Sequence, residues 1–453
     1  MISGLPGFLS IFLSFFSIPI FLNFLSADYY ANFLIQHAIL TLGMILNLNL
    51  GKFAAIKIQK FNLKIKQEII FTSFMTSFVT GILLSTITYF IIISLFENRG
   101  FFDISFSLAL GLFATILFIS LEHIAKGLGY FKLSSFTNFL FYSLSLSLPA
   151  FLLLIDNEDL EVMNNLFIIS LCIKYFALMY LIFILAIKNK LIFTKIYFKM
   201  FIDFKIHAKW MTINAFYSQI YDYVDKYLIK IYLGSTMLIA YAVPQQIAAK
   251  LTIFSQAIIS VFLPKISSIK TIKGKKEILS SNIYFYLIFV GGTLILLLPF
   301  YNNILSWWLK DSYNLEILKI FKLFILLTFL GSLSNIINAF YEATLIAKKN
   351  TIYETKNIVP FCIGLLICVY YQNIFYFVFL ILFKEFIMLF VRLRSVKKYI
   401  LYFDILNFII FILFLAYIFS FFNLFYFSYF MSFLFILILL TKFPLKILLK
   451  NYF

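Results

Sequence analysis

The chain has 453 residues, of which 63% are apolar and only 12% are charged. Soluble domains contain about 45–50% apolar and about 25% charged residues, so this composition excludes an ordinary soluble enzyme and a disordered chain. In a soluble protein a net charge of +18 would suggest nucleic-acid binding. Here the lysines cluster in short loops between long apolar runs, so we predict an all-α polytopic membrane protein with no nucleic-acid partner.

Apolar runs long enough to cross a bilayer recur along the whole chain. A membrane-spanning helix needs about 20 predominantly apolar residues, and this requirement predicts about fourteen transmembrane helices. The runs are long and continuous, which excludes the short alternating strands of a membrane β-barrel. The predicted spans are 5–25, 29–50, 67–95, 104–125, 133–155, 163–187, 210–233, 237–263, 280–300, 317–345, 353–371, 374–393, 403–422 and 424–441.

The positions of Lys and Arg predict which loops face the cytoplasm. One alternate set of loops holds almost all of the loop lysines and arginines, whereas the opposite set holds only Arg99 and Lys310. Cytoplasmic loops of membrane proteins are enriched in these two residues. We therefore predict that both termini and the basic loops are cytoplasmic, the basic loops being those near 52–66, 126–132, 188–209, 265–276, 348–356, 392–398 and 442–450.

The charge pattern further suggests two similar halves. Each half begins with two helices joined by a short outer turn and followed by a lysine-rich inner loop. Secondary transporters are commonly built from such repeats, with the substrate site between them near the middle of the membrane. We predict an N-terminal six-helix lobe (1–187), a basic cytoplasmic linker (188–209), a C-terminal six-helix lobe (210–395), and two additional helices with a cytoplasmic tail (396–453).

The seventh predicted span carries the densest intramembrane charge. Gln219, Asp222, Lys226 and Lys230 recur at spacings of three and four residues, so they share one face of a helix. A charge at the bilayer centre costs about 2.5–3.5 kcal/mol, so this face is predicted to meet protein or a watery cavity rather than lipid. The alternative is that Asp222 and Lys226 form an internal ion pair that only locks the helix.

Polar groups in other spans are candidates for the same cavity. The eighth span contributes Gln245 and Lys250, the sixth contributes Lys174, and the tenth contributes Asn338 and Glu342. Ionisable residues inside a membrane usually mark a substrate or ion pathway. For Glu342, which is close to the cytoplasmic end of its span, a solvated helix terminus is the alternative.

Two other charged pairs are predicted to be structural. Glu122 and Lys126 are separated by four residues at the inner end of the fourth span, the spacing of a helical ion pair. Lys384 and Glu385 are adjacent in the twelfth span and are interpreted as a local pair or a packing contact.

Motifs for catalysis, nucleotide binding or metal binding are not visible in the sequence. The three cysteines and three histidines are scattered, without the spacing of a zinc site. There is no P-loop, no nucleophile elbow and no HExxH. We therefore predict a protein that is not an enzyme and that uses no metal and no cofactor.

Helices seven and eight resemble those of Wzx-type polysaccharide flippases, which move the repeat units of O-antigen or capsule. The resemblance lies in DKYLIKIYLG at 225–234, Ala240-Tyr241, PQQIAAK at 244–250 and FLPKIS at 262–267. It implies the MATE-like fold of the multidrug/oligosaccharidyl-lipid/polysaccharide exporter (MOP) superfamily, in which two six-helix lobes form a V around a central cavity. This sequence uses Lys where the family often has Arg, so individual arginine contacts are not transferred.

The resemblance also implies a substrate, namely an undecaprenyl-diphosphate-linked oligosaccharide that crosses the bacterial inner membrane by alternating access. Membrane lipids, a coupling proton or sodium ion, and a polysaccharide polymerase or chain-length complex are the implied partners. Lysine binds phosphate as a point charge, and the interaction is strong in a low-dielectric cavity. Our hypothesis divides the candidate residues into three groups: Lys226, Lys250 and Lys174 for the diphosphate; Gln219, Gln245 and Asn338 for the sugars; Asp222, Asp225 and Glu342 for charge pairing or ion coupling.

Three other functions are weighed against this one. A drug or cation antiporter on the same fold needs a net-negative cavity, whereas the seventh span has as many lysines as acids. A membrane glycan polymerase or glycosyltransferase typically carries its catalytic residues on a sizeable outer loop, but the longest predicted outer loop, 301–316, is short. A purely structural scaffold does not explain the intramembrane charges.

Overall fold

The computed structural model describes most of the chain in helices and short turns. None of the described residues lies in a strand, so the all-α fold class is confirmed. The described residues are 5–41, 43, 50–58, 63–95, 101–154, 161–189, 195–256, 258–259, 266, 269, 271–310, 313–344, 347–401, 403–422, 428, 430–432 and 434.

The chain divides into two compact units, Met1–Tyr227 and Leu228–Phe453. The helices of the first unit are α1 (Leu5–Phe24), α2 (Ala27–Thr41), α3 (Leu50–Ile58), α4 (Leu63–Leu95), α5 (Phe101–Gly127), α6 (Phe131–Leu152), α7 (Glu161–Asn189) and most of α8 (Lys199–Leu233). The helices of the second unit, after the end of α8, are α9 (Ser235–Ala249), α10 (Ile272–Leu309), α11 (Leu315–Ala343), α12 (Ala347–Tyr371), α13 (Ile374–Ser395) and α14 (Phe403–Phe421).

Nine helices in the described part of the chain are long and apolar enough to cross a membrane: α4 to α7, α9 with its continuation to Gln256, and α10 to α13. Helices α1 and α14 contain shorter apolar stretches, Phe15–Phe24 and Ile409–Ile418. The protein is therefore a multi-pass membrane protein. Most of the fourteenth predicted span, 424–441, lies outside the described residues.

Helix boundaries differ from the predicted spans where charged residues interrupt apolar runs. Helix α8 begins at Lys199, inside the predicted linker 188–209, because this stretch alternates apolar and charged residues without a helix-breaking Gly or Pro. Helix α3 lies in the predicted basic loop 52–66, and Tyr301–Leu309 is helical where an outer loop was predicted. The division into lobes at the linker stays a prediction.

Small residues set the close packing of α3 on α5. A Cβ atom added at Gly51 would overlap the main chain of Ser120, and one added at Gly127 would lie 2.6 Å from the Cα of Ala55. Ser77 of the neighbouring α4 donates a 2.8 Å hydrogen bond to Ser120 Oγ. Small residues let membrane helices approach closely enough for such contacts. Close packing at these positions therefore holds α3, α4 and α5 together.

Two helices contain a π-helical turn, Phe139–Leu144 in α6 and Leu287–Gly291 in α10. A π-helical turn replaces i→i−4 hydrogen bonds with i→i−5 bonds and often marks a functional position. In α6 the turn lies beside α5, where the rings of Phe118 and Phe141 stack at a centroid distance of 3.9 Å. The turn also presents the Phe141 carbonyl to α7, which matters for the site below.

The turns of the second unit gather at two opposite ends. At one end Ser280 of α10 accepts a 2.8 Å hydrogen bond from Leu401 N, and Arg392 of α13 contacts Asn350 of α12. At the other end the α8–α9 turn, the start of α11 and the α12–α13 turn line one pocket. This grouping agrees with the predicted alternation of basic and non-basic loops, and the orientation relative to the cytoplasm stays a prediction.

Candidate functional site

Lys174 is buried in the first unit, with 4% of its surface exposed. Its Nζ donates a 2.9 Å hydrogen bond to the Phe141 carbonyl oxygen and lies 4.3 Å from the centroid of the Phe141 ring. Ser145 Oγ donates to the same carbonyl at 2.5 Å. Among the described residues, no carboxylate lies within salt-bridge distance of this ammonium. Lys174 is thus a buried cation held by a carbonyl and a ring.

Two polar groups that have no hydrogen-bond partner among the described residues flank Lys174. Ser170, one turn earlier on α7, is fully buried and its Oγ has no partner, and the same is true of the buried Nε2 of His37 on α2. The His37 ring lies 5.9 Å from that of Phe167 and is close enough to Lys174 to interact electrostatically. The sequence analysis missed both residues. The four-residue spacing of Ser170 and Lys174 was a signal for the first, whereas no local signal pointed to His37.

Helix α8 carries the predicted charges at the boundary between the units. Asp225 is fully buried and accepts a 2.7 Å hydrogen bond from the main-chain N–H of Lys226. The Lys226 ammonium lies 4.6 Å from the centroid of the Tyr223 ring, a cation–π contact. The side chains of Gln219 and Asp222 lie outside the described residues, so their shared face stays a prediction.

Lys250 lies directly after the last residue of α9 and is half-buried. Its ammonium makes no hydrogen bond or ion pair with the described part of the chain, and neither does the half-buried amide of Gln245. The other face of α9 is packed on α11, where Tyr241 makes an edge-to-face contact with Phe324 at 4.9 Å. The apolar packing of α9 on α11 therefore fixes the position of the polar residues Gln245 and Lys250.

Asn338 projects from α11, the helix on which α9 packs. Its Oδ1 is buried and has no hydrogen-bond partner in the described structure. The side chain of Glu342, one turn later, lies outside the described residues. Gln245, Lys250 and Asn338 thus belong to one helix pair of the second unit and all retain unused hydrogen-bonding capacity.

The predicted ion pair between Glu122 and Lys126 is confirmed. Glu122 is buried, and its Oε1 also accepts 2.8 Å hydrogen bonds from Ser134 Oγ and Asn138 Nδ2 of α6. His123 Nδ1 lies 3.8 Å from the second carboxylate oxygen. This carboxylate ties α5 to α6 and is fully engaged by its neighbours.

Arg392, which the sequence analysis counted among the basic loop residues, lies in the last turn of α13 and is buried rather than in a loop. It is 4% exposed and pairs with the buried Glu354 of α12. Its Nε donates a 2.9 Å hydrogen bond to Asn350 Oδ1, and it also contacts Ser334 of α11. Three helices of the second unit therefore meet at one guanidinium, whose five donors suit such a site.

Three of the described intramembrane carboxylates have a cationic partner, whereas two of the described lysines have no carboxylate partner. Glu122 and Glu354 are paired as described above, and Glu385 lies 2.6 Å from the Lys384 ammonium, the predicted local pair. Lys174 and Lys250 have no carboxylate partner in the described part of the chain. The helices therefore carry positive charge that no described acid neutralises.

The comparisons with known proteins agree on the fold. No family model matches the sequence, and no curated protein matches it. A MOP superfamily transporter from Pyrococcus furiosus matches with a TM-score of 0.62 and 14% identity, covering 90% of this chain and 95% of its own. An outward-facing MATE multidrug resistance transporter matches with 0.61 and 14%, covering 86% and 91%.

The lipid II flippase MurJ in an inward closed conformation matches with a TM-score of 0.58 and 16% identity, covering 96% of this chain and 97% of its own. At these identities the likeness concerns the fold. It confirms the predicted MATE-like class, whereas the number of fourteen spans stays a prediction. The chain has the fold of the transporters of the MOP superfamily.

Proposed function

We propose that this protein translocates an undecaprenyl-diphosphate-linked oligosaccharide repeat unit across the bacterial cytoplasmic membrane. The product would serve the synthesis of a surface polysaccharide such as O-antigen or capsule. The fold supports a transporter that works by alternating access, and one of the similar structures is a lipid II flippase. The resemblance of the seventh and eighth predicted spans, which are α8 and α9 of the structure, to Wzx-type flippases supports the choice of substrate.

The observation that carries the proposal is that the Lys250 ammonium has no hydrogen-bond or ion-pair partner among the described residues. A half-buried cation at an apolar helix pair is costly unless an anion neutralises it. Glu122, Glu354 and Glu385 have their own cationic partners, and no described carboxylate, Asp225 included, lies within salt-bridge distance of the Lys250 ammonium. A diphosphate supplies the missing negative charge, and the attraction is strong where water is scarce.

The remaining candidate residues have supporting roles in this proposal. Lys226 and Lys174 add positive charge for the diphosphate, although Lys174 must first release the Phe141 carbonyl. Gln245 and Asn338 have the unused amide capacity that sugar hydroxyls need, and Gln219 is assigned the same role. Asp222, Asp225 and Glu342 are assigned to charge pairing or to a coupling proton or sodium ion.

A drug or cation antiporter on the same fold is the rival reading. It requires an acidic group that is available to a cationic substrate. Among the described intramembrane carboxylates, those of Glu122, Glu354 and Glu385 are each next to a cation, and that of Asp225 is fully buried. Lys174 and Lys250, which have no carboxylate partner among the described residues, instead favour an anionic substrate. The charges do not distinguish a carrier from a polymerase or glycosyltransferase, and only the fold favours a carrier. The assay therefore measures movement of the substrate without chemical change.

The test is a flipping assay in proteoliposomes. The probe is undecaprenyl diphosphate bearing a nitrobenzoxadiazole-labelled disaccharide, and external dithionite reduces the label only in the outer leaflet. The native protein should expose the inner-leaflet label on a time scale set by flipping. Lys250→Ala should slow this phase by at least about 10-fold, because a charge-assisted hydrogen bond contributes about 1.5–3 kcal/mol.

Lys132→Ala is the matched control, because it removes the same charge from an exposed position in the first turn of α6. It should flip the probe at the native rate. Native flipping by Lys250→Ala at equal reconstitution would refute the lysine assignment. Ion-gradient-driven uptake of ethidium by vesicles that do not flip the probe would replace the proposal by the antiporter reading.

A further inference from the structure

One end of the second unit contains a pocket of about 350 Å³. It is lined by the α8–α9 turn through Tyr232 and Met237, by the start of α11 through Glu316, and by the α12–α13 turn through Gln372, Asn373 and Phe375. All of these segments lie in, or directly beside, the loops predicted to face outward. Small-molecule sites measure about 300–1,000 Å³, so this pocket suits a ligand of one or two sugar rings.

The lining combines rings with hydrogen-bonding groups. Tyr232 and Phe375 present aromatic surface, which packs against the C–H face of a pyranose. Glu316 supplies a carboxylate acceptor, and the amide of Gln372 both donates and accepts. A few polar groups placed around apolar surface are typical of a site that selects a small polar molecule.

Most of these polar groups are not used to hold the fold. The side chains of Tyr232, Glu316 and Gln372 make no hydrogen bond or ion pair with the described part of the chain. Glu316 is not needed to cap α11, because Asn314 Oδ1 accepts a 2.7 Å hydrogen bond from Ile317 N. Asn373 Oδ1 caps α13 at 2.9 Å from Phe375 N, which leaves its amide nitrogen for a ligand.

The main chain of Gln372 is in a strained conformation that a glycine would adopt at lower free energy. Its φ of 48° is in the left-handed region, at a helix end where Gly is the usual residue. A non-glycine residue in this conformation costs on the order of 1 kcal/mol. The turn therefore keeps an amide side chain at the pocket where glycine would be less strained.

We propose that this pocket is a saccharide subsite that receives the glycan portion of the substrate at the outer end of the second unit. The inference rests on the proposed function and extends it to a second contact, away from Lys250. A lipid phosphate is the other polar ligand available at a membrane surface. Glu316 is the one charged group among the described lining residues and repels phosphate, so the pocket favours a neutral or amino sugar.

The experiment measures binding of lipid-free glycans to the purified protein by saturation-transfer difference NMR. The probes are N-acetylglucosamine, N-acetylgalactosamine, glucose, galactose and chitobiose, with glycerol 3-phosphate as the headgroup probe. At least one sugar should show transfer. Glu316→Gln and Gln372→Ala should each weaken that transfer at least about 10-fold relative to the native protein, which corresponds to losing one or two hydrogen bonds.

Tyr370→Ala is the control, since this tyrosine is 82% exposed at the same end but does not line the pocket. It should bind sugar like the native protein. Lys250→Ala should also bind sugar normally while flipping the lipid-linked probe at least about 10-fold more slowly, which separates this inference from the proposed function. Three results would overturn the subsite: transfer from none of the sugars, native transfer in both Glu316→Gln and Gln372→Ala, or a preference for glycerol 3-phosphate.

Discussion

The Lys174 ammonium of α7 lies 2.9 Å from the carbonyl oxygen of Phe141 and 4.3 Å from the centroid of the same residue's ring. One residue of α6 thus supplies both of the nearest groups to a buried cation. Neither group carries a formal charge, so the ammonium is solvated by the protein without being neutralised. It remains available to an anion that reaches it.

Replacing Lys174 by methionine tests whether its ammonium serves transport or the stability of the fold. Methionine fills a similar volume, and losing one hydrogen bond is offset by losing the desolvation cost of the charge. We expect Lys174→Met to keep its unfolding temperature within about 3 °C of the native value in detergent, while flipping slows. Lys188→Met, the same change at an exposed position of α7, should alter neither. A much lower unfolding temperature for Lys174→Met would instead identify Lys174 as a structural anchor.

Arg392 is expected to be far more important for stability than its neighbour Arg394. Arg392→Ala leaves the buried carboxylate of Glu354 without its cation, a change that costs about 3–5 kcal/mol. Arg394 is exposed on the last turn of the same helix, so Arg394→Ala should change stability by less than about 0.5 kcal/mol. Thermal unfolding of both variants in the same detergent measures the difference.

The double variant Arg392→Met/Glu354→Met checks the cause of that loss. Apolar replacement of both members of a buried ion pair is often neutral or stabilising. The double variant should therefore be more stable than Arg392→Ala alone. If it is equally unstable, packing of the guanidinium rather than the unpaired carboxylate explains the loss.

Gly51 is predicted to be intolerant of even a methyl group. The Cβ of Gly51→Ala would collide with the main chain of Ser120, which cannot move without separating α3 from α5. Overpacking of this kind typically costs about 1–3 kcal/mol. Gly292→Ala is the matched control, because a Cβ there meets nothing within 4 Å. It should be neutral or stabilising by up to about 1 kcal/mol in a helix.

Glu122 offers a test of charge against hydrogen bonding. Glu122→Ala removes the acceptor for Ser134 and Asn138 and leaves those buried donors unsatisfied, at a cost of about 1–3 kcal/mol. Glu122→Gln keeps an acceptor oxygen and loses only the charge opposite Lys126, which is partly exposed. We expect Gln to retain most of the stability that Ala loses, as measured by thermal unfolding. Equal losses would mean that the charge of Glu122, and not its hydrogen bonds with Ser134 and Asn138 of α6, accounts for the stability that it contributes.

The sequence predicted the apolar spans well because length and hydropathy are the constraints that a bilayer imposes. The third span was predicted at 67–95 and the helix covers Leu63–Leu95, and the twelfth was predicted at 374–393 and covers Ile374–Ser395. Segments rich in lysine were read as loops, although charged residues are good helix formers. That reading missed α3 and the start of α8 at Lys199.

The candidate site was predictable only where partners are close in sequence. Glu122 and Lys126 are one turn apart, so their pairing could be read from spacing. Glu354 and Arg392 are on different helices, and nothing in either helix alone indicates the other. The partner of Lys174 is a main-chain carbonyl, and main-chain acceptors leave no trace in the pattern of side chains.

The extra residue in the π-helical turn of α6 also changes the directions in which the side chains of that helix point. An α-helix advances about 100° per residue, so one inserted residue rotates everything beyond Leu144 by about that angle relative to an uninterrupted helix. Deleting Leu140, which precedes Phe141 in the turn, would bring the two segments back into phase. Phe141 would then point in a different direction and lose its contact with Lys174, whereas Ser134 and Asn138 would keep their hydrogen bonds with Glu122. A shortened α6 would therefore still fold onto α5 but no longer bind the lysine.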